Sequence, residues 1–210
     1  DNSLWMFGGF RGRAFSADMY QLEFHDIYGD AAANDGMPEA MWRPVKAIGG
    51  FAPWPRALGC LLALPPPASH LLMLGGGDGD ADFDDAYAFD ATASTWQRLT
   101  NITGELWALS NAACSLLPRI EGTVGGRGDV ESSAVIIHGG FGGPSSNRSA
   151  HRKQSAARVM ELAPNGWRWS EMKTSGSTVS PRMSHRMAVR NSSLIVMFGG
   201  NGDGEHLREL

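Results

Sequence analysis

The sequence predicts an all-β fold built from a repeated unit of about four strands. Four short apolar runs each end in two glycines, the glycine pairs recur at regular intervals, and large side chains follow them at repeated distances. The pairs are Gly8-Gly9, Gly75-Gly76, Gly139-Gly140 and Gly199-Gly200, at spacings of 67, 64 and 60 residues. An internal repeat of this kind indicates the architecture of a chain more strongly than any single motif does.

The apolar runs are predicted to be strands. Each is short and bounded by Gly, Pro, Asn, Asp or Ser, whereas a helix would need about ten residues or more. Because the runs do not alternate with polar residues, we expect strands buried on both faces. Glycine has no Cβ and adopts positive φ readily, so it suits a strand end crowded by neighbouring sheets. We predict equivalent strand-end positions, with positive φ or no room for a Cβ, for Gly9, Gly76, Gly140 and Gly200.

Large side chains after the glycines mark the next two strands of each unit. Two tyrosines each lie eleven residues after a glycine pair, and tryptophans recur farther on. The Tyr positions hold Tyr20, Tyr87 and Met160, and the Trp positions hold Trp42, Trp96 and Trp169. Such residues fill the space between neighbouring sheets, which predicts that Trp96 and Trp169 are largely buried.

A four-stranded unit repeated along the sequence is typical of the blades of a β-propeller. The units are predicted at 1–50, 52–109, 110–177 and 180–210, with three, four, four and two strands. Because both end units are incomplete, we expect the sequence to be a fragment of a longer propeller whose chain starts upstream. The end strands are then expected to turn apolar residues toward uncovered space, namely Leu4, Met6, Phe7, Ile195, Val196 and Phe198.

These motifs resemble the kelch repeat. The resemblance rests on the double glycine after an apolar strand, the Tyr and Trp of the next strands, and the opening "PRMSH", which contains Arg182 and His185. It covers essentially the whole chain and implies four-stranded antiparallel blades around an axis, as in the galactose oxidase propeller. The third unit departs from the pattern, because it opens with "LSNAACSLL" and has Met160 in the Tyr position, and Gly59 stands where the second unit should have His.

Function is expected in the loops that depart from the minimal repeat. Three inserts stand out, at 25–40, 118–132 and 141–158, and they are either tolerated surface insertions or partner-binding loops. The last contains a basic cluster that could meet an acidic partner, namely Arg148, His151, Arg152, Lys153 and Arg158. The candidate partner-binding residues are Asp30, Asp35, Arg127, Asp129, Arg148, Arg152 and Lys153. Arg127 and Asp129 belong to the tripeptide Arg-Gly-Asp at 127–129, and Asp30 and Asp35 belong to the first insert.

Composition argues against two classes of partner. The net charge is -4, and the basic cluster carries no interleaved aromatic residues, so no nucleic-acid surface is predicted. No apolar run approaches the ~18 residues of a spanning helix, so no membrane insertion is predicted. The first residues show no signal-peptide pattern.

No catalytic constellation, metal site or cofactor site is identified. The six histidines are scattered, and the copper set of the galactose oxidase branch has no counterpart in these residues. The acidic loop at 77–85 resembles the start of a calcium loop, but Phe83 and Phe89 stand where that loop needs Gly and Glu, which favours a solvated loop. Cys60 and Cys114 are interpreted as small core residues of neighbouring units, too far apart to bridge.

Three glycosylation sequences fall in predicted loops, at Asn101, Asn147 and Asn191. Asn, Ser and Thr are also ordinary turn residues, so the compartment stays open between cytoplasmic and secreted or luminal.

Two functions are compatible with the sequence. The first is a non-catalytic kelch-repeat scaffold that binds a protein partner through blade loops. The alternative is the propeller part of a galactose-oxidase-like enzyme whose active site lies in blades outside this chain.

Overall fold

The computed structural model describes residues 3–25, 39–49, 51–65, 70–105, 107–117, 134–145, 147–163, 166–191 and 194–203. The fold of these residues is all-β, with one 3-10 turn at Arg148–Ala150 and no α-helix among them. The strands are, in chain order, β1 (Ser3–Phe7), β2 (Met19–His25), β3 (Glu39–Val45), β4 (Cys60–Ala63), β5 (His70–Leu74), β6 (Ala86–Asp90), β7 (Thr95–Arg98), β8 (Ile102–Thr103), β9 (Trp107–Ser110), β10 (Ala113–Leu117), β11 (Ala134–His138), β12 (Phe141–Pro144), β13 (Arg152–Lys153), β14 (Ala157–Ala163), β15 (Gly166–Glu171), β16 (Arg186–Asn191) and β17 (Leu194–Phe198).

The main sheets are antiparallel and follow one another along the chain. Their orders are β1-β2-β3, β4-β5-β6-β7, β10-β11-β14-β15 and β16-β17. These contain three, four, four and two antiparallel strands, and the third sheet has a fifth strand, β8, that pairs in parallel with β15. The described sheets form no closed ring.

The segment 102–110 differs from its predicted place in the second unit. β8 extends the third sheet by pairing in parallel with β15, and β9 pairs with β12 to make a small sheet that also holds β13. Both pairings occupy backbone groups that an edge strand would otherwise leave exposed.

Of the four apolar runs, β5 and β11 are buried on both faces. Leu72 and Leu74 of β5 pack toward the third sheet, while Leu71 and Met73 pack toward the first. In β1, by contrast, Trp5 and Phe7 pack on the second sheet, and Leu4 and Met6 on the other face are exposed.

The same exposure is found in β17, where Ile195, Val196 and Phe198 are exposed. The prediction of uncovered apolar faces therefore holds for these residues and for Leu4 and Met6. It is wrong for Phe7, whose ring lies 5.2 Å from that of Trp96.

The glycine pairs occupy equivalent positions at the ends of β1, β5, β11 and β17. All eight glycines have positive φ, between 57° and 109°. A Cβ on Gly76 would come within 2.7 Å of a backbone oxygen, and one on Gly140 would do the same, whereas Gly9 faces open space. The prediction for the second glycine of each pair is confirmed.

Each of the first three glycine pairs is hydrogen-bonded to the segment that opens the next unit. The amide of Gly9 donates to the carbonyl of Arg56, and Gly140 donates to Arg182, both at 2.8 Å. Gly76 donates to Leu109 over the same distance. Leu109 thus holds in the third unit the position of Arg56 and Arg182, which fixes the register that the missing Pro-Arg pair left undetermined.

Two residues after Arg56, Leu109 and Arg182, the chain adopts the left-handed backbone conformation. Leu58, Asn111 and Ser184 have φ of 61°, 59° and 60°. The amide of Asn111 donates to the carbonyl of Leu58 at 2.7 Å, and Ser184 donates to Asn111 at 3.0 Å. The first strands of these units, β4, β10 and β16, therefore lie side by side.

The interpretation of the two cysteines is wrong. Cys60 of β4 and Cys114 of β10 form a disulfide, with their Cα atoms 6.2 Å apart. β4 and β10 are the inner strands of neighbouring sheets, and they lie close enough together for their cysteines to bond. Cys60 pairs with Leu74, next to its glycine pair, whereas Cys114 pairs with Ile137, one residue farther away.

The aromatic residues that are predicted to fill the space between sheets differ in their exposure to solvent. Trp96 and Trp169 are buried, as predicted, and so is Tyr87. Trp42, however, is 47% exposed and contacts Tyr20 edge-to-face. Trp42 differs from Trp96 and Trp169 because its sheet is covered on one face only.

Candidate functional site: a basic cleft beside the third sheet

The position predicted for Tyr in the third unit holds Arg158, not Met160. Strand register defines this position: Tyr20 pairs with Met6, and Tyr87 pairs with Met73, each two residues before a glycine pair. The equivalent residue of β11 is Ile137, and it pairs with Arg158.

Counting back from Trp169 gives the wrong residue for the Tyr position, because the β14–β15 hairpin is longer than the β6–β7 hairpin. Phe89 pairs with Trp96 seven residues on, whereas Met160 pairs with Trp169 nine residues on. The two additional residues in the β14–β15 hairpin shift the count from Arg158 to Met160. The Trp assignment itself is correct, because Trp96 and Trp169 pair with equivalent residues.

A second substitution accompanies the arginine. In the second unit the buried Arg56 guanidinium forms a two-pronged ion pair with Asp85, one arm at 2.9 Å. Asp85 also accepts, through its carbonyl, the amide of Gly75, and Ala156 accepts the amide of Gly139 in the same way. Ala156 is therefore the counterpart of Asp85, as Leu109 is of Arg56.

The third unit thus lacks both members of that ion pair. Removing one member alone would leave a buried charge uncompensated, which is strongly destabilising. Losing both leaves Leu109 in the apolar core and only a methyl group at Ala156. The carboxylate is gone from this side of the sheet, and a new cation, Arg158, stands two residues away.

Arg158 is 3% exposed. Its Cζ atom lies 3.4 Å from the centroid of the Trp107 ring, an arrangement that stabilises a cation against an aromatic face. One terminal nitrogen lies 3.4 Å from Glu171, whose side chain is mostly exposed. Its Nε atom is buried and has no hydrogen-bond partner among the described residues.

Burial lowers the pKa of Arg158, and the nearby carboxylates of Glu171 and Glu105 oppose that effect. The lowered pKa shows that the charged form is incompletely compensated by its surroundings. Since arginine stays protonated in proteins, this guanidinium is a buried cation with unused hydrogen-bonding capacity.

A cleft of about 350 Å³ opens beside this guanidinium. Its lining includes Arg152 and Lys153 of β13, the buried Gln154, and the carboxylates of Glu171 and Asp203. Gln154 is held by its amide, which donates to the carbonyl of Gly142 at 2.7 Å. Lys153 donates to Asn201 at 3.0 Å and lies 3.5 Å from the exposed Asp203.

The candidate residues from the inserts lie in different parts of the structure. Arg152 and Lys153 line the cleft, while Arg148 lies exposed in the 3-10 turn that precedes them. Asp30, Asp35, Arg127 and Asp129 lie outside the described residues.

The acidic loop has structural partners instead of a calcium arrangement. Asp78 accepts the amides of Asp80 and Ala81, and Asp82 lies 3.3 Å from His151. Asp85 belongs to the ion pair with Arg56. No group of three metal-binding side chains occurs in the part of the chain that the structure describes.

Arg182 and His185 both lie in the interior. The Arg182 guanidinium donates to the carbonyl of Gly199 at 3.2 Å, as Arg56 does to Gly75 at 2.9 Å. Nε2 of His185 lies 3.1 Å from Nδ1 of His138, so this pair links the third sheet to the fourth unit. These contacts give both residues structural roles in joining units.

The comparisons with known proteins identify no family. No protein-family model matches the chain, and no curated protein is similar to it. Within the described residues, no helix combines the length and hydrophobicity that crossing a bilayer requires.

Three side chains of the cleft are cations and two are carboxylates, so the charge of its lining is net positive. A carboxylate entering it would meet the donors of Arg158, Lys153 and Arg152, whereas the side-chain amide of Gln154 already donates to the carbonyls of Gly142 and Arg152. Burial strengthens such charge-assisted hydrogen bonds, because the surroundings have a lower dielectric constant than water. The sequence places Arg158 in the basic cluster, but its burial and its position opposite Ile137 follow from a strand register that composition does not reveal.

Proposed function

We propose that this chain is a non-catalytic repeat scaffold of the kelch β-propeller type, which binds an acidic protein partner through its loops. A carboxylate of the partner docks in the cleft beside Arg158. The observation that carries the proposal is a buried guanidinium whose Nε has no partner, in a unit that has lost its own carboxylate at Ala156.

The comparison with the second unit explains the choice of ligand. In the second unit the carboxylate of Asp85 lies beside Tyr87 and Phe83, where it pairs with the buried Arg56. In the third unit the methyl group of Ala156 leaves that place open toward the cleft, and the ligand supplies the carboxylate from outside. Repeated hydrogen bonds at the glycine pairs and the four-stranded second sheet support the kelch-type architecture.

A short acidic peptide tests the docking site. Acetylated hexaglutamate is expected to bind the chain at low salt in isothermal titration calorimetry, and acetylated hexaglutamine is expected not to bind. Arg158→Tyr restores the residue that the first two units have at this position, so the fold should be retained. Affinity should fall about tenfold or more, since a hydrogen bond to a charged group contributes roughly 1.5–3 kcal/mol.

Two further variants sharpen the test. Ala156→Asp supplies an internal carboxylate and should abolish peptide binding while leaving every cation in place. Arg168→Ala removes an exposed arginine that pairs with Glu161, outside the cleft, and should bind hexaglutamate like the unmodified chain. Equal affinities for the unmodified chain, Arg158→Tyr and Ala156→Asp would refute the docking site.

A further inference from the structure

Two glycosylation sequences lie on the surface of the described chain, and a disulfide joins two of its sheets. Asn101 and Asn147 are both exposed, and each is followed at the second position by a hydroxyl residue, Thr103 or Ser149. Such sequences arise in turns by composition alone. The disulfide between Cys60 and Cys114 is an independent observation, because its formation has nothing to do with the asparagines.

The disulfide indicates a compartment. Structural disulfides form and persist in oxidising environments, whereas the cytosol keeps thiols reduced. Both cysteines lie on inner strands of different sheets, and no free cysteine competes for either, since the chain has only two. A secretory compartment that forms this bond is also the one that attaches N-linked glycans.

Asn101 is presented on a fixed backbone. Its carbonyl accepts the amide of Trp167 at 2.8 Å, and the Thr103 hydroxyl lies 3.4 Å from the carbonyl of Trp167. Gly166 passes beside it, where a Cβ would come within 2.7 Å of the Asn101 Cβ atom. The backbone is thus anchored to β15 while the side chain of Asn101 stays exposed to solvent.

Asn147 is fixed in a similar way before the 3-10 turn. Its amide donates to the carbonyl of Pro144 at 2.9 Å, and its side-chain Oδ1 accepts the hydroxyl of Ser149 at 2.7 Å. Both contacts leave Nδ2 available, and that is the atom that receives a glycan. The third sequence lies at the end of β16, and the side chain of Asn191 is outside the described residues.

We propose that this protein matures in an oxidising secretory compartment and carries N-linked glycans at Asn101 and Asn147. In each transfer, Nδ2 attacks the anomeric carbon of a lipid-pyrophosphate-linked oligosaccharide. A C–N bond forms, the C–O bond to the pyrophosphate breaks, and the amide loses one proton. The two thiols are oxidised by exchange with a disulfide oxidoreductase, which accepts two electrons and two protons.

The test uses the protein isolated from its natural source in the presence of a thiol-alkylating agent. Treatment with peptide N-glycosidase in water labelled with oxygen-18 converts a glycosylated asparagine to labelled aspartate, which mass spectrometry of peptides detects. Labelled aspartate is expected at positions 101 and 147, and the peptides containing Cys60 and Cys114 should stay crosslinked until reduced. Unlabelled asparagine at either position, or alkylation of both cysteines before reduction, overturns the proposal. The chain made in bacterial cytosol provides the unlabelled reference.

A second arm tests the individual sites in a eukaryotic secretory host, with the whole chain behind a cleavable signal. Thr103→Ala and Ser149→Ala should each remove one glycosidase-sensitive step in electrophoretic mobility. The matched variants Thr103→Ser and Ser149→Thr preserve the sequences and should retain it. Asn191 is the same in all four, so it does not affect the differences. If the alanine variants migrate like their matched partners, the sites carry no glycan and the proposal is wrong.

Discussion

Replacing His185 is expected to flatten the dependence of stability on pH. Its side chain is 1% exposed and lies edge-on to His138, with ring centroids 5.0 Å apart. Burial, followed by His138, Arg182 and Arg186, lowers the pKa of His185 from 6.5 to about 4. Burial and the same Arg182 also lower the pKa of His138, whose other neighbours are Arg158 and the backbone of Ser155.

The sign of the effect follows from which state binds protons. Between pH 6.5 and about 4 the unfolded chain protonates this histidine, and the folded chain keeps it neutral. Stability from this residue is therefore complete above pH 6.5 and is lost as the pH falls through that window. The difference in pKa corresponds to about 3 kcal/mol of unfolding free energy. The lowered pKa of His138 adds to the loss in the same direction.

Urea unfolding at a series of pH values measures this quantity. His185→Gln removes the titrating group, so its stability should fall by about 3 kcal/mol less than that of the unmodified chain over the window. His70→Gln removes a partly exposed histidine beside Asp90 and controls for the loss of one imidazole. Parallel curves for His185→Gln and the unmodified chain would refute the reasoning, whatever the absolute stabilities.

Three other predictions concern packing, the disulfide and the glycine pairs. Trp96→Ala and Trp169→Ala should each lower the unfolding free energy by roughly 3–5 kcal/mol in urea titrations, and a loss below ~1 kcal/mol would contradict their burial. Replacing both Cys60 and Cys114 by Ser should cost up to about 4 kcal/mol, because the bond closes a loop spanning 54 residues; an unchanged melting temperature after reduction would argue against the bond. Gly76→Ala should destabilise more than Gly12→Ala, since both have positive φ but only Gly76 would place a Cβ against a backbone oxygen; equal losses would show that crowding adds nothing to backbone strain.

The repeat was readable in the sequence because strand ends impose local requirements. A positive φ selects glycine at Gly75 and Gly76, and an interior contact between sheets selects a large side chain at Trp96 or Trp169. These requirements act over a few residues, so they survive differences in loop length. For the same reason the all-β class and the strand ends at the glycine pairs could be predicted.

Relations between units were not readable. The approach of Cys60 to Cys114 depends on how closely β4 and β10 converge, which no residue spacing reports. The place of Arg158 depends on the length of the β14–β15 hairpin, and a count from Trp169 lands two residues away. The exposure of Trp42 depends on what covers its sheet, which is again not a local property.

The chain of hydrogen bonds through Leu58, Asn111 and Ser184 gives these sheets a common spine. Main-chain atoms make every link, so substitutions of side chains along the spine leave the links themselves in place. These bonds fix the positions at which the second, third and fourth units begin relative to one another. The insert at 141–158, which connects β11 to β14, therefore changes the surface beside the third sheet without changing the order of the units.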